Sequence, residues 1–312
     1  MTPSAHRSEV VLSARSAVRA SLSLALLAVL AACGVPPETR VQTRAAGQRD
    51  RVLLREEIRA DCMKEKGFKF VAFVSSYLNP IRRDTEEVRA RESGDYLAMR
   101  RFREKYGFGV FSLYAYPQEF GNPTVKTDAP LNPNLSIQGA LSRTQREAYR
   151  AADDACHRRA IKEITGKDVD SFFDQVEQAN ALIERRVSLE IDGDPRLVRL
   201  GAAMGNCLRG KGYAVDSTEP SALAQRGGNV FHAEENSLGE KVPDALRSED
   251  MPKDAVYAPD LTPDQARPYL AREIRAALDD LECGKRFYPS HEPAYGKIQR
   301  EAYLEFGLYE GL

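Results

Sequence analysis

The sequence predicts a mainly α fold: two related helical halves, each stapled by one disulfide, with long loops. Three observations carry that expectation. Apolar residues recur at helical spacing, as in Leu54-Ile58-Cys62 and Leu197-Leu200-Met204-Cys207-Leu208. Helix punctuation brackets these runs, with Ser142 and Gln145, Asp194-Pro195 and Thr262-Pro263 at starts and Gly67, Gly166 and Gly212 at ends. A Cys-x4-Gly-aromatic pattern occurs twice, as Cys62 to Gly67-Phe68 and Cys207 to Gly212-Tyr213.

The N-terminus reads as an address. Arg7, Arg15 and Arg19 precede an uncharged run from Leu22 to Ala32. A basic start, a short apolar stretch and small residues at the end form a secretory signal. The apolar run is about half the roughly 20 residues that a membrane-spanning helix needs. Leu30-Ala31-Ala32-Cys33, followed by Gly34, resembles the lipobox of bacterial lipoprotein precursors. That resemblance implies cleavage before Cys33 and acylation of its thiol. Two or more acyl chains give stable anchoring. The expected divisions are therefore a signal peptide over 1–32, the acylated Cys33 with a flexible tether over 33–48, a first helical half over 49–192 and a second over 193–312. The expected location is the outer face of the bacterial cytoplasmic membrane.

Charge and cysteines narrow the function classes. The signal takes three Arg and one Glu from totals of 45 basic and 46 acidic residues, leaving the mature chain at −3. A near-neutral chain with no basic stripe gives no support for a nucleic-acid partner. The membrane is expected to be reached through lipid on Cys33, since no polybasic segment is available. Of the five Cys, Cys62, Cys156, Cys207 and Cys283 remain. An even number in an exported chain predicts two disulfides. Structural zinc favours closely spaced Cys pairs; the chain has none, and His157 beside Cys156 is a lone neighbour. No metal and no cofactor is expected.

Taken in order, Arg49 to Lys66 is helical and stops at Gly67. Phe68 to Val74 is a short extended apolar segment, broken by Asn79-Pro80. A charged helix spans 84–105, with Gly94 as its weak point. Tyr106-Gly107-Phe108-Gly109-Val110-Phe111 follows, with Tyr114 and Tyr116 beyond it. This stretch has two readings: a Gly-aromatic turn docking rings into the core, or a surface of Tyr106, Phe108, Phe111, Tyr114 and Tyr116 for a glycan or peptide. Residues 117–139 read as loop. Ser142 and Gln145 form a capping box opening a helix with Ala148, Ala152, Ala155 and Cys156 on its apolar face. The next helix, 168–190, runs through Phe172, Phe173, Val176, Ala179, Leu182, Ile183 and Val187. Asp194 caps the following helix. Residues 218–240 are weakly helical and interrupted by Gly227-Gly228, and 241–261 form a polar loop. Thr262-Pro263 starts a helix that reaches Cys283, and Glu292 to Tyr309 is helical and aromatic-rich.

Four Cys allow three pairings. Each half offers a helix ending in Cys-x4-Gly-aromatic and a later helix carrying one Cys, so the economical pairing is Cys62–Cys156 and Cys207–Cys283. One detail resists it. Cys283 lies nearly opposite the Leu270-Ile274-Leu281 stripe on an ideal helix, so either that helix distorts before Gly284 or the partners differ. The order of Cys-Met-x3-Gly-Phe, Tyr-Gly-Phe-Gly, Leu-Ser-Arg-Thr-Gln-Arg-Glu-Ala-Tyr and the second Cys-x4-Gly-Tyr resembles a group of exported actinobacterial lipoproteins. The resemblance spans most of 50–285. It implies no activity and no catalytic residues to carry over.

No catalytic motif supports an enzyme: Gly-x-Ser-x-Gly, His-Glu-x-x-His and a P-loop are missing. His157, His232 and His291 stand in polar stretches and read as solvated imidazoles. Asp153-Asp154, Glu234-Glu235 and Asp279-Asp280 read as solvent faces of charged helices. The expected function is a membrane-anchored envelope interaction or structural module with an envelope protein or glycan partner. A ligand- or solute-binding lipoprotein is the alternative, with a cell-envelope hydrolase behind it.

Overall fold

Helix after helix begins where a capping residue stands and ends at a glycine. A computed structural model describes residues 37–74, 85–120, 132–243 and 255–308. The signal over 1–32, Cys33, Asn79-Pro80, residues 121–131 of the proline-rich stretch, residues 244–254 of the polar loop and Tyr309 lie outside them. The chain divides into a short N-terminal unit, Met1–Thr43, and a body, Arg44–Leu312. The helices are α1 (Pro37–Glu65), α2 (Glu86–Glu92), α3 (Tyr96–Tyr106), α4 (Ser112–Ala115), α5 (Pro117–Phe120), α6 (Pro133–Gly139), α7 (Arg143–Thr165), α8 (Phe172–Val187), α9 (Pro195–Gly210), α10 (Pro220–Leu238), α11 (Pro263–Cys283) and α12 (Tyr288–Glu305). A π-helical turn, Ser188–Asp192, extends α8. Among the described residues no strand forms; Lys241 and Val256 make an isolated antiparallel bridge.

Caps follow the sequence closely. Ser142 and Gln145 make the reciprocal box at α7, and Thr262 and Gln265 make another at α11. The Asp194 side chain accepts from the Arg196 and Leu197 amides ahead of Pro195. Gly94, with φ +75°, breaks the 84–105 segment into α2 and α3. Both Cys-x4-Gly-aromatic sites form the same C-cap. Phe68 N donates to Met63 O at 2.9 Å and Gly67 N to Lys64 O at 2.9 Å; Tyr213 N and Gly212 N repeat this to Leu208 O and Arg209 O at 3.0 Å each. That double bond pattern is the Schellman motif, and it needs the left-handed Gly67 and Gly212 (φ +81° and +88°).

The structure differs from the sequence reading in several places. The stretch expected as tether is helical from Pro37, since no proline or capping glycine stops α1 before Gly67. In α1 the buried positions are Val52, Glu56, Cys62 and Met63, while Leu54 is exposed. Glu56 is buried because Arg55 and Arg59 both donate to it, and Arg59 reaches across to Asp153 of α7 at 2.7 Å. Residues 133–139, expected as loop, are helix: Asn132 caps it and Pro133 takes the first turn. The buried Asn134 side chain then pairs with both backbone groups of Val71 at 2.9 Å, as a strand neighbour would. On α7 the buried face is Tyr149, Ala152, Cys156 and Ala160, with Ala148 exposed. On α8 it is Gln175, Ala179, Ile183 and Val187, with Phe172 and Phe173 turned to solvent.

Gly227 and Gly228 do not interrupt α10. Gly227 is buried, and a Cβ there would overlap the Phe108 ring. The glycine is thus a packing requirement at a helix–turn contact, whose partner lies more than a hundred residues away. Gly227→Ala is expected to lower stability by about 1–3 kcal/mol through overpacking, although alanine favours helix. Urea unfolding checks this; a stabilised variant would show that the contact gives way freely.

Both disulfides pair as the economical reading has it: Cys62–Cys156 and Cys207–Cys283, each with Cα atoms 5.5 Å apart. α11 explains the Cys283 puzzle. Its neighbours include α3, α4, α9 and α10, so its buried arc is wide. The arc runs from Leu281 through Ala277 and Glu273 to Asp280 and Ala276, and Cys283 lies one step beyond Ala276 on a 3.6-residue helix. No distortion is needed. The two halves interlock, since α3 and α4 pack on α11 and α8 packs on α12.

Candidate contact surface

The Tyr106–Tyr116 stretch is organised by one carboxylate. Gly107 and Gly109 take positive φ (+63° and +108°), which turns four successive amides inward. The amides of Phe108, Gly109 and Val110 donate to Glu273 Oε1 at 2.7, 2.8 and 2.9 Å, and Phe111 N donates to Oε2 at 2.8 Å. This is an anion nest filled by the protein's own side chain. A Cβ on Gly107 would sit 2.7 Å from Glu273 Cγ, so glycine is required there twice over. Burial pushes the Glu273 carboxyl up, and the four amides pull against that shift.

Behind the nest lies a buried charge cluster. Arg103 donates to Asp280 Oδ1 at 2.6 Å and to Ala277 O at 2.9 Å. The Tyr288 hydroxyl donates to the same carboxylate oxygen, and its ring lies 4.7 Å from the Arg103 guanidinium. Asp280 is fully buried, so the second acid of the Asp279-Asp280 doublet is no solvent face. Asp279 is the outer one: Lys211 and Tyr213 donate to it and hold its carboxyl below the usual range. Sequence reasoning passed over Arg103 and Glu273 and placed Asp280 on a solvent face.

With the turn fixed, its rings divide. Phe111 is fully buried and stacks on Tyr269 at 4.8 Å. Tyr114 is buried with its hydroxyl on Glu235 at 2.5 Å. Phe108 packs against Phe231 and fills the space over Gly227. These three residues of the expected contact surface are mainly core. Tyr106 and Tyr116 stay partly exposed, edge to face at 5.8 Å. The Lys105 ammonium lies 4.8 Å from one ring centre and 5.3 Å from the other. Lys105 also pairs with Glu119 at 2.8 Å, and the Tyr106 hydroxyl donates to Glu119. The outer edge of the stretch is therefore an aromatic pair capped by its own cation.

A second exposed aromatic pair went unread. Phe172 and Phe173 open α8 at 50% and 79% exposure, in contact with each other edge to face. Further along α8 two open clefts share Gln178. One, of about 430 Å³, is lined by Arg158, Arg159, Lys162, Asp168, Val169, Asp170 and Asp174; the other, of about 320 Å³, is lined by Lys167, Ala181, Leu182, Arg185, Glu305 and Phe306. Most charges along them are already paired within the protein, as Lys162 with Asp168 at 2.6 Å and Lys167 with Glu305 at 2.6 Å.

Two histidines are not the solvated imidazoles of the sequence reading. His157 is buried under Phe172 and bonds Gln175 at 2.8 Å, and Gln175 in turn donates to Phe306 O at 2.5 Å. His291 is buried between the Phe287 and Tyr295 rings. His232 is exposed beside Glu235, as expected. Burial, then the nearby Arg59 charge, lower the His157 pKa from its ordinary 6.5. The folded state therefore holds His157 neutral while the unfolded chain binds a proton below about pH 6.5. Stability from this group is complete above that pH and is lost as pH falls from it towards the folded value. His157→Gln is expected to flatten the stability–pH curve as pH falls below about 6.5. An unchanged slope would assign the acid sensitivity to other groups.

Among the described residues, no group of three or more His, Cys, Asp or Glu side chains is placed to hold a metal ion. No described helix is long and apolar enough to cross a membrane. No family model, curated protein or solved structure matches this chain.

Proposed function

We propose that the chain is an exported, lipid-anchored protein serving as an interaction or structural module of a bacterial envelope. The observation that carries this reading is the pair of disulfides, one in each half of the body. Disulfides persist in oxidising compartments and are rare where thiols are kept reduced. The lipobox at Leu30–Cys33 supplies the membrane through acyl chains. The interaction role draws on residues that face water. Phe172 and Phe173 expose large apolar rings at the first turn of α8, and Tyr106, Tyr116 and Lys105 form a second aromatic edge. Phe111 and Tyr114 serve the fold instead, so a partner would read the rim of the expected surface and the α8 pair. The alternative, a solute-binding lipoprotein, draws on the two adjoining clefts along α8.

Photo-cross-linking in cells tests the interaction reading. A cross-linking residue replaces Phe173, Tyr116 or, as a control, the exposed Glu184. The expected result is one reproducible envelope protein captured from 173 or 116 and not from 184. Equal capture at all three positions, or capture at none, would contradict an interaction surface and turn attention to the clefts.

A further inference from the structure

The two disulfides share a local build and differ in what covers them. Cys62 and Cys207 each sit on the last turn of a helix closed by a Schellman glycine and an aromatic residue. At the first site, Phe68 turns its ring edge-to-face onto the buried Tyr149, centres 5.4 Å apart. Cys62 and Cys156 then lie inside a core cluster with Met63 and Tyr149, at 3% and 0% exposure. At the second site the aromatic turns elsewhere. Tyr213 sends its hydroxyl to Asp279 at 2.7 Å and its ring under Arg226. Cys207 is left exposed, with Cys283 partly buried against the core. Nor does the second staple act alone. Leu208 and Leu281 pack in one core cluster, and Lys211 and Tyr213 both bond Asp279 across the same junction.

We propose that Cys207–Cys283 is a thiol-exchange site, where a low-molecular-weight thiol forms a mixed disulfide on Cys207 while the helices stay in place. Access selects the sulfur that is attacked. The incoming thiolate bonds to Cys207 Sγ, the Cys207–Cys283 bond breaks, and Cys283 leaves as a thiolate that takes a proton from water. One disulfide replaces another, so no further oxidant or reductant enters. A second small thiolate then attacks the small-molecule sulfur of the adduct; its bond to Cys207 Sγ breaks, the small disulfide is released, and Cys207 leaves as a thiolate that takes a proton from water, so the two small thiols are the reductant and both cysteines end free. Both positions are helix C-terminal ends, where carbonyl dipoles disfavour thiolate. Exchange therefore needs excess thiol and reverses when it is withdrawn, which separates this site from a catalytic thiol. The sealed Cys62–Cys156 bond meets a thiol only when its cluster opens.

The test uses folded protein with cysteamine in rising excess, acid quench, alkylation of free thiols and peptide mass spectrometry, with helical circular dichroism read in parallel. The expected result is loss of one disulfide of the two: cysteamine or alkylation on Cys207, alkylation on Cys283, Cys62 still linked to Cys156, and an unchanged helical signal. Modification first at Cys62 or Cys156, or none anywhere before the helical signal falls, would overturn the proposal. A folded Cys207→Ala/Cys283→Ala variant is expected to show no modification at Cys62 or Cys156 at the same excess; adducts on either would overturn the proposal too. Only Cys62, Cys156, Cys207 and Cys283 are scored, so the outcome does not depend on whether Cys33 is acylated, and failure here and failure of the lipoprotein reading are distinguishable.

Discussion

Glu273→Ala is expected to destabilise the body by about 3 kcal/mol or more, a large part of the margin of a marginal domain. The carboxylate receives the four amides of residues 108–111; Gly109 N also donates to Tyr106 O at 3.0 Å, so those of Phe108, Val110 and Phe111 depend on Glu273 most. An orphaned buried donor costs about 1–3 kcal/mol. Water entering the space left by the side chain recovers part, which places the estimate at the low end of the sum. Glu273→Gln keeps the shape and loses less, about 2 kcal/mol, because its NH2 must face an amide and the charge is gone. The loss should concentrate where the nest sits. Hydrogen exchange is expected to speed up at Phe108–Phe111 and Tyr114 before it does in α8 or α12. Urea unfolding that shows Glu273→Ala within about 1 kcal/mol of the parent would mean that the turn holds its shape without the carboxylate.

The second large effect belongs to the sealed staple. Cys62→Ala/Cys156→Ala removes a link closing 94 residues, worth roughly 4–5 kcal/mol in the chain-entropy model. It also leaves space beneath Tyr149 at a site with almost no exposure. Cys207→Ala/Cys283→Ala removes a link over 76 residues with nearly the same entropic worth. Its surroundings are solvent on one side, and Asp279 still ties the two helix ends. The first variant is therefore expected to lose more than the second in matched urea titrations without reductant. The reverse order would place the structural staple at the surface and remove the asymmetry between the two sites.

What the sequence displayed was local. The capping box at Ser142, the Asp194-Pro195 and Thr262-Pro263 starts and the glycine stops at Gly67, Gly166 and Gly212 are written within a few residues of where they act, and all form as read; the box that Gln265 completes at Thr262 was not read. The Cys pairing was legible because the repeated Cys-x4-Gly-aromatic pattern marks equivalent helix ends. What was hidden depends on distant partners. Gly227 looks like a helix breaker until Phe108 is seen against it. Phe172 and Phe173 look like core by periodicity, yet α8 is rotated so that Gln175 takes the buried position to hold His157 and Phe306. Glu273 had one visible sign. On α11 it shares a stripe with Ala266, Leu270 and Ala277, and Asp280 follows one turn later. An acid inside an apolar stripe signals a buried carboxylate with a dedicated partner, a sign that the doublet Asp279-Asp280 obscured. The partners themselves were out of reach, since Glu273 binds backbone amides rather than side chains.

The claim that joins these parts is that the body is built for the outside of a cell membrane and held there by Cys33. The most direct measurement is the intact mass and N-terminal peptide of the protein isolated from its own cells under thiol-blocking conditions. The account predicts a chain that begins at an acylated Cys33, with both disulfides closed and residues 1–32 gone. A chain that retains residues 1–32, or carries an unmodified Cys33 with free thiols at Cys62 and Cys156, would contradict it.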